Sequence, residues 1–225
     1  MFNLKHTIHR RGFLESLAAS AALGITSLTV PLRLTAEPKS QPGENPDFEA
    51  WLSKIKGKHR QVFDAPNPNN GYPLAWARVF LSTNNEVGTP DSDVCAVVVL
   101  RHDAIPVAME DALWAKYKFG EMFKVTDQAT KAASARNLFW KPKPGELPFP
   151  DMSVDQLQKR GVLFGVCYMA LTVYSNIVSK NINTDAAAVK KDWVAGILPG
   201  IQIVPSGVLA INRAQEHGCS YCYAG

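Results

Sequence analysis

Length, composition and charge limit the kinds of protein that this chain can be. It has 225 residues, of which 46% are hydrophobic and 20% charged, with a net charge of +4. Residues 1–36 hold four of the 24 basic residues and one of the 20 acidic ones, so residues 37–225 carry a net charge of +1. Those 189 residues suffice for one domain with a proper core, and they contain no basic stripe of the kind that binds nucleic acid.

The first 36 residues have the three regions of a bacterial export signal. A basic start reaches Arg10 and Arg11, an apolar segment follows at residues 17–32, and small residues close it at 34–36. The paired arginines indicate the twin-arginine route, so we expect a periplasmic protein that is exported already folded. The alternative is an uncleaved membrane anchor, although polar residues interrupt the apolar segment and leave it short for a spanning helix. We expect no other contact with the membrane.

The remaining chain alternates between predicted strands and predicted helices. Residues 37–58 are expected to form a tether with a short helix, and residues 59–225 the folded domain. Predicted strands are 59–63, 94–101, 161–167, 200–204 and 218–223, and predicted helices are 72–83, 105–118, 153–160, 168–179, 185–195 and 205–217. This alternation predicts a single α/β domain, with a five-stranded, mainly parallel sheet flanked by helices. The continuous apolar run at 94–100 is typical of a central strand.

Residues 126–152 form a proline-rich insertion that is too long for an ordinary connection in a compact domain. Phe139, Trp140 and Phe149 lie within it. They indicate either a surface loop pinned by its aromatic side chains, or a lid over a site or an oligomer contact.

The candidate functional residues follow the predicted strands. Ligands of an open parallel sheet bind beyond the carboxyl ends of the strands, and these ends lie along one edge. The residues that this rule selects are Arg101, His102, Cys167, Tyr168, Ser206 and Gly207. We expect Arg101, Tyr168, Ser206 and Gly207 to contact a ligand or an anion.

Cys167 is the strongest catalytic candidate, because it ends a strand and begins a helix. The helix dipole lowers the pKa of a thiol in that position, and a thiolate can attack a sulfane sulfur or hold it as a persulfide. His102 could serve as its base or charge partner, or as a metal or haem ligand. The alternatives are a buried, inert cysteine and a structural histidine.

The other three cysteines leave several interpretations open. Cys95 begins the central strand and is expected to fill the core. Cys219 and Cys222 could simply belong to a structural strand, form a redox pair, take part in a sulfur relay, or join His217 in a zinc or copper site. No histidine follows them as c-type haem attachment requires. Positions three apart on a strand lie about 10 Å apart and face opposite ways, whereas a disulfide needs Cα atoms within about 7 Å. A local disulfide would therefore require a turn.

Two segments carry a resemblance to a known family. Residues 160–171 read Arg-Gly-Val-Leu-Phe-Gly-Val-Cys-Tyr-Met-Ala-Leu, and residues 203–210 read Ile-Val-Pro-Ser-Gly-Val-Leu-Ala, followed by Gln-Glu-His-Gly at 215–218. They resemble the DsrE/DsrF-like family of sulfur-relay proteins. The resemblance implies a five-stranded parallel sheet, assembly into trimers or hexamers, and a persulfide on Cys167. It also implies a sulfur donor or acceptor protein as partner, and no required cofactor.

Three functions follow from these patterns. The first is a periplasmic persulfide carrier or relay, at most a sulfurtransferase-like enzyme, that uses Cys167. The second is an exported metal- or haem-binding protein that uses His102 or the set of His217, Cys219 and Cys222. The third is a non-catalytic, oligomeric interaction module.

Overall fold

The computed structural model describes residues 45–225. The predicted export signal and residues 37–44 of the predicted tether lie outside the described residues. Within the described part, no helix has both the length and the apolar character needed to span a membrane.

Five strands form one sheet in the order β4-β3-β2-β1-β5, and all four pairings are parallel. The strands are β1 (His59–Ala65), β2 (Val94–Leu100), β3 (Leu163–Cys167), β4 (Ile201–Val204) and β5 (Ser220–Tyr223). Helices lie between them, so the predicted single α/β domain with a parallel sheet is confirmed. All seven residues of β2 are buried, as expected for an apolar run at a central position.

Eight α-helices surround the sheet in the described residues. They are α1 (Pro46–Leu52), α2 (Tyr72–Glu86), α3 (Asp111–Tyr117), α4 (Phe119–Met122), α5 (Val154–Lys159), α6 (Tyr168–Asn181), α7 (Ala186–Ala195) and α8 (Gly207–Glu216). Four short 3-10 helices cover Asn69–Gly71, Asp91–Asp93, His102–Ala108 and Pro150–Met152.

The two faces of the sheet are covered by different helices. Helices α1 and α8 cover one face, where Trp51 and Ile211 pack with Val97 and Val99 of β2. Helices α2 to α7 cover the other face, where Trp193 packs in the same cluster as the alternate β2 residues. Successive side chains of a strand point to opposite faces of the sheet, so the buried residues of β2 contribute to both cores.

The predicted helix at 105–118 is wrong in its first half. Residues His102–Ala108 form a 3-10 helix with Pro106 inside it, and the backbone is extended at Met109 before α3 begins. Proline has no amide hydrogen to donate within a helix. The carbonyls of Val107 and Met109 instead accept hydrogen bonds from the Asn137 side chain, at 2.9 and 2.7 Å.

The insertion at 126–152 is attached to the core through its middle. Asn137 is 1% exposed, and the neighbouring Phe139 lies in the large core cluster. Further along, Phe149 stays partly exposed beneath the guanidinium of Arg78, 4.5 Å from the ring centroid. The insertion is therefore held by buried groups near 137–139 and by a surface cation–π contact near 149.

Candidate functional site

Between the carboxyl ends of β3 and β4, the connections that follow the strands switch from one face of the sheet to the other. Strand β3 leads into α6 on one face of the sheet, and the adjacent β4 leads into α8 on the other face. In open parallel sheets, ligands bind at such a point. Cys167 is the register partner of Val204 in the adjacent strand, and Ser206 and Gly207 begin α8 two residues further on.

Cys167 is the N-cap residue of the 14-residue helix α6. Its Sγ accepts a hydrogen bond from the backbone N–H of Ala170 at 3.3 Å, and the residue is 6% exposed. An amide donor in the first turn and the positive end of the helix dipole both stabilise negative charge on this sulfur. The site is therefore chemically suited to a thiolate or a persulfide anion.

Three other predicted contact residues have structural partners of their own. Ser206 Oγ accepts the N–H of Leu209 at 3.2 Å and caps α8. A Cβ atom on Gly207 would lie 2.6 Å from the Cβ of Arg101, so only glycine permits this close approach. Tyr168 is 38% exposed, and Lys190 Nζ lies 5.1 Å from its ring centroid. Of these three, Tyr168 presents an exposed surface beside Cys167.

Arg101 lies next to the cysteine along the edge, because Leu100 pairs with Val166. Its Nε and Nη2 donate to the two carboxylate oxygens of Asp64, at 2.6 and 2.9 Å, and the Tyr221 hydroxyl donates to Asp64 Oδ2 at 2.9 Å. These bonds to the 4% exposed Asp64 raise the pKa of Arg101. Arg101, which we expected to contact a ligand or an anion, therefore pairs with an internal carboxylate instead.

Sequence reasoning missed Asp64 and Tyr221. The available signal for Asp64 was a carboxylate in the apolar second half of β1, among Val62, Phe63 and Ala65, where a buried charge requires a partner. No comparable signal marked Tyr221, because its contact depends on β5 lying beside β1.

His102 also lies at this edge of the sheet but turns towards a different group. Its Nδ1 is 3.2 Å from Asp103 Oδ1, and its ring meets that of Tyr174 edge to face at 5.8 Å. The Tyr174 hydroxyl donates a hydrogen bond to the same carboxylate oxygen. Burial and this bond raise the pKa of Tyr174. Within the described chain His102 makes no hydrogen bond to Cys167, so its predicted role as the partner of that thiol gains no support.

The three remaining cysteines do not assemble into a site. Cys95 and Cys219 are buried in the core beneath α1 and α8, whereas Cys222 packs against the opposite core. All four cysteines are unpaired, and across residues 45–225 no three His, Cys, Asp or Glu side chains converge as metal ligands would. His217, Cys219 and Cys222 therefore do not form the metal site that the sequence suggested. Cys219 and Cys222 point to opposite faces of the sheet.

We expect Cys95 and Cys219 to resist alkylation in the folded protein. Burial raises the pKa of both thiols, that of Cys219 to about 12. At pH 8 roughly one Cys219 thiol in 10⁴ would be ionised, and the thiolate is the reactive form. Iodoacetamide treatment at pH 8 followed by peptide mapping should leave both unlabelled, whereas the same treatment in urea should label all four cysteines. Labelling of Cys219 at equal rates in both conditions would contradict this.

Comparisons with known proteins give a distant structural similarity. No family model matches the chain, and no curated protein matches it. Among solved structures it is similar to MTH1491 from Methanobacterium thermoautotrophicum, a protein of unknown function. That match has a TM-score of 0.40 and 18% identity, and it covers 73% of this chain and 98% of the other.

Proposed function

We propose that this protein is a persulfide carrier whose sulfur-bearing residue is Cys167. The observation that carries the proposal is the location of Cys167, at the point where the connections switch from one face of the sheet to the other. Its Sγ accepts a hydrogen bond from the Ala170 N–H. Ligands of open parallel sheets bind at such a point, and the amino terminus of a helix favours negative charge, which supports the proposal. The resemblance to DsrE/DsrF-like proteins over residues 160–171 and 203–218 agrees with this assignment.

The reaction requires only a thiolate and a persulfide donor, R–S–SH. The Cys167 thiolate attacks the terminal sulfur of the donor, the donor's S–S bond breaks, and a new S–S bond forms on Cys167. The products are Cys167–S–SH and the thiolate R–S⁻, so sulfur atoms, protons and charge balance. Attack by an acceptor thiolate on the terminal sulfur reverses the step and passes the sulfur onward. The Ala170 N–H stabilises the Cys167 sulfur whenever it carries the negative charge.

An exposed apolar stripe beside the cysteine supports a protein partner. Met169, Val173 and Ile177 follow one another at every fourth position of α6 and are 41%, 51% and 44% exposed. Residues with this spacing lie on one side of a helix, and contiguous exposed apolar surface marks interaction sites. The stripe suits a sulfur donor or acceptor protein, or a further copy of this chain in a trimer or hexamer.

The compartment that we propose is the periplasm. Its support is the sequence alone, from Arg10 and Arg11 through the apolar segment at 17–32. A carrier exported already folded would cross the membrane with Cys167 inside its finished site.

The intact mass of the protein, recorded without reductant before and after exposure to polysulfide, tests the proposal. We expect the addition of one reductant-labile sulfur atom that maps to Cys167 and is lost in Cys167→Ser. Cys222→Ser is the matched control, since it removes a partly exposed thiol at another place and should load normally. Equal loading of Cys167→Ser and the wild type, with both variants folded, would overturn the assignment.

The second candidate is a non-catalytic oligomeric module, which the 6% exposure of Cys167 favours. In that case the native protein would take up no sulfur at Cys167, and alkylation would leave this thiol unlabelled. Substitution of Val173 by aspartate would then change the oligomeric state without any effect on sulfur chemistry.

A further inference from the structure

A cleft lies beyond the carboxyl ends of β1 and β2, on the side of the sheet that α6 covers. Its volume is about 340 Å³, which is within the size range of small-molecule sites. The lining comes from the loop after β1, from the residues after β2 and from the turn after α4. The lining residues are Asn67, Pro68, Asn69, Asn70, Asp103, Phe123, Lys124 and Val125. Neither Cys167 nor α8 contributes to it.

Strained backbone is concentrated around this cleft. Seven non-glycine residues of the described chain have positive φ. Asn69, Asn70 and Lys124 line the cleft, at φ values of 37°, 51° and 54°, and His102, at 48°, directly precedes the lining residue Asp103. Positive φ is uncommon for residues other than glycine, and such residues cluster at binding sites.

Two opposite charges line the cleft without neutralising each other. Asp103 and Lys124 do not approach within the 4.0 Å of an ion pair, and Lys124 forms no ion pair in residues 45–225. The carboxylate is fixed in place, because Tyr174 and His102 both contact its Oδ1. Within residues 45–225, neither its Oδ2 nor the Lys124 ammonium has a hydrogen-bond or ion-pair partner, and Asn69 and Asn70 line the same cleft.

We propose that this cleft binds a small zwitterion of the α-amino acid class. The ligand's ammonium group would pair with Asp103, and its carboxylate with Lys124 and the amides of Asn69 and Asn70. A simple anion would meet the Asp103 carboxylate, a simple cation would meet Lys124, and a neutral polyol would leave both charges unpaired. A ligand that carries both charges can pair with Asp103 and with Lys124 at the same time.

Tyr174 and His102 act as positioning residues in this site. They hold one oxygen of Asp103 and leave the other to the ligand, so neither needs to touch the ligand itself. The site is independent of the persulfide chemistry, and Cys167→Ser should bind the zwitterion as the wild type does.

Isothermal titration calorimetry on the full chain tests this inference, with L-alanine and L-glutamine as zwitterions. Methylammonium, acetate and glycerol are the probes for a cation, an anion and a polyol. We expect saturable binding of the amino acids only, and a loss of affinity of about tenfold or more in Asp103→Asn and in Lys124→Met, equivalent to one charge-assisted contact each.

The controls carry the same chemical changes on exposed residues elsewhere, Asp47→Asn and Lys180→Met, and should bind as the wild type does. Circular dichroism establishes that each variant is folded. The proposal is overturned if neither amino acid saturates the protein, if acetate, methylammonium or glycerol binds equally well, or if both cleft variants keep wild-type affinity.

Discussion

Replacing Asn137 with alanine should lower the free energy of unfolding by about 3 kcal/mol or more. The Asn137 Nδ2 donates to the carbonyls of Val107 and Met109, and its Oδ1 accepts the N–H of Phe139 at 2.9 Å. The side chain is almost fully buried, so water cannot replace it. The alanine variant would leave three buried backbone groups without partners, each at a cost of about 1–3 kcal/mol. Urea denaturation followed by circular dichroism measures the change.

Asn176→Ala is the matched control for this substitution. Its Nδ2 also donates to a backbone carbonyl, that of Thr172 at 2.7 Å, but at an exposed position of α6. Water replaces that bond and alanine favours the helix, so we expect a change within about 0.5 kcal/mol. Equal effects of the two substitutions would show that Asn137 does not hold the insertion to the core.

The second large effect is expected for Arg101→Met, at about 3 kcal/mol of lost stability. Asp64 is 4% exposed, and its two strongest hydrogen-bond donors belong to Arg101. Without the arginine, only the Tyr221 hydroxyl faces a buried carboxylate. We place the loss at the lower end of the range for broken buried pairs, because the Arg101 side chain itself is 28% exposed.

A double variant separates the cost of leaving the Asp64 carboxylate unpaired from the cost of losing the packing of the Arg101 side chain. Arg101→Met combined with Asp64→Asn removes the unpaired carboxylate and should recover part of the loss. Arg78→Met, which breaks the more exposed pair with Asp151, is the control and should cost about 1 kcal/mol or less. If the double variant is no more stable than Arg101→Met, the buried charge is not the origin of the effect.

Local sequence patterns predicted the parts of this structure that depend on neighbours in the chain. The strand at 94–100 and the junction at Cys167 are examples, since an apolar run and a strand-to-helix change are visible within a dozen residues. Pairings between distant segments were not predictable in this way. Helical periodicity at 105–118 carries no sign that Asn137 takes the carbonyls of Val107 and Met109.

The candidate site shows the same limit. The edge of the sheet that gathers Arg101, His102 and Cys167 follows from parallel topology alone. The contacts that these residues make with other side chains do not follow from the topology. Arg101 meets Asp64 because β1 lies beside β2, and His102 meets Tyr174 because of where α6 crosses the sheet.

The position of β5 beside β1 makes the last residues of the chain a requirement for completing the first strand. Ser220 Oγ donates to the Arg60 carbonyl across 160 residues of sequence, and Tyr221 supplies a donor to the carboxylate of Asp64. Contacts of such long range form late, because the chain must first pay the entropy of closing the loop between them. A polypeptide whose synthesis has not yet passed β5 cannot complete this sheet. Loss of β5 would leave one edge of β1 unpaired and would remove the tyrosine hydroxyl that donates to Asp64.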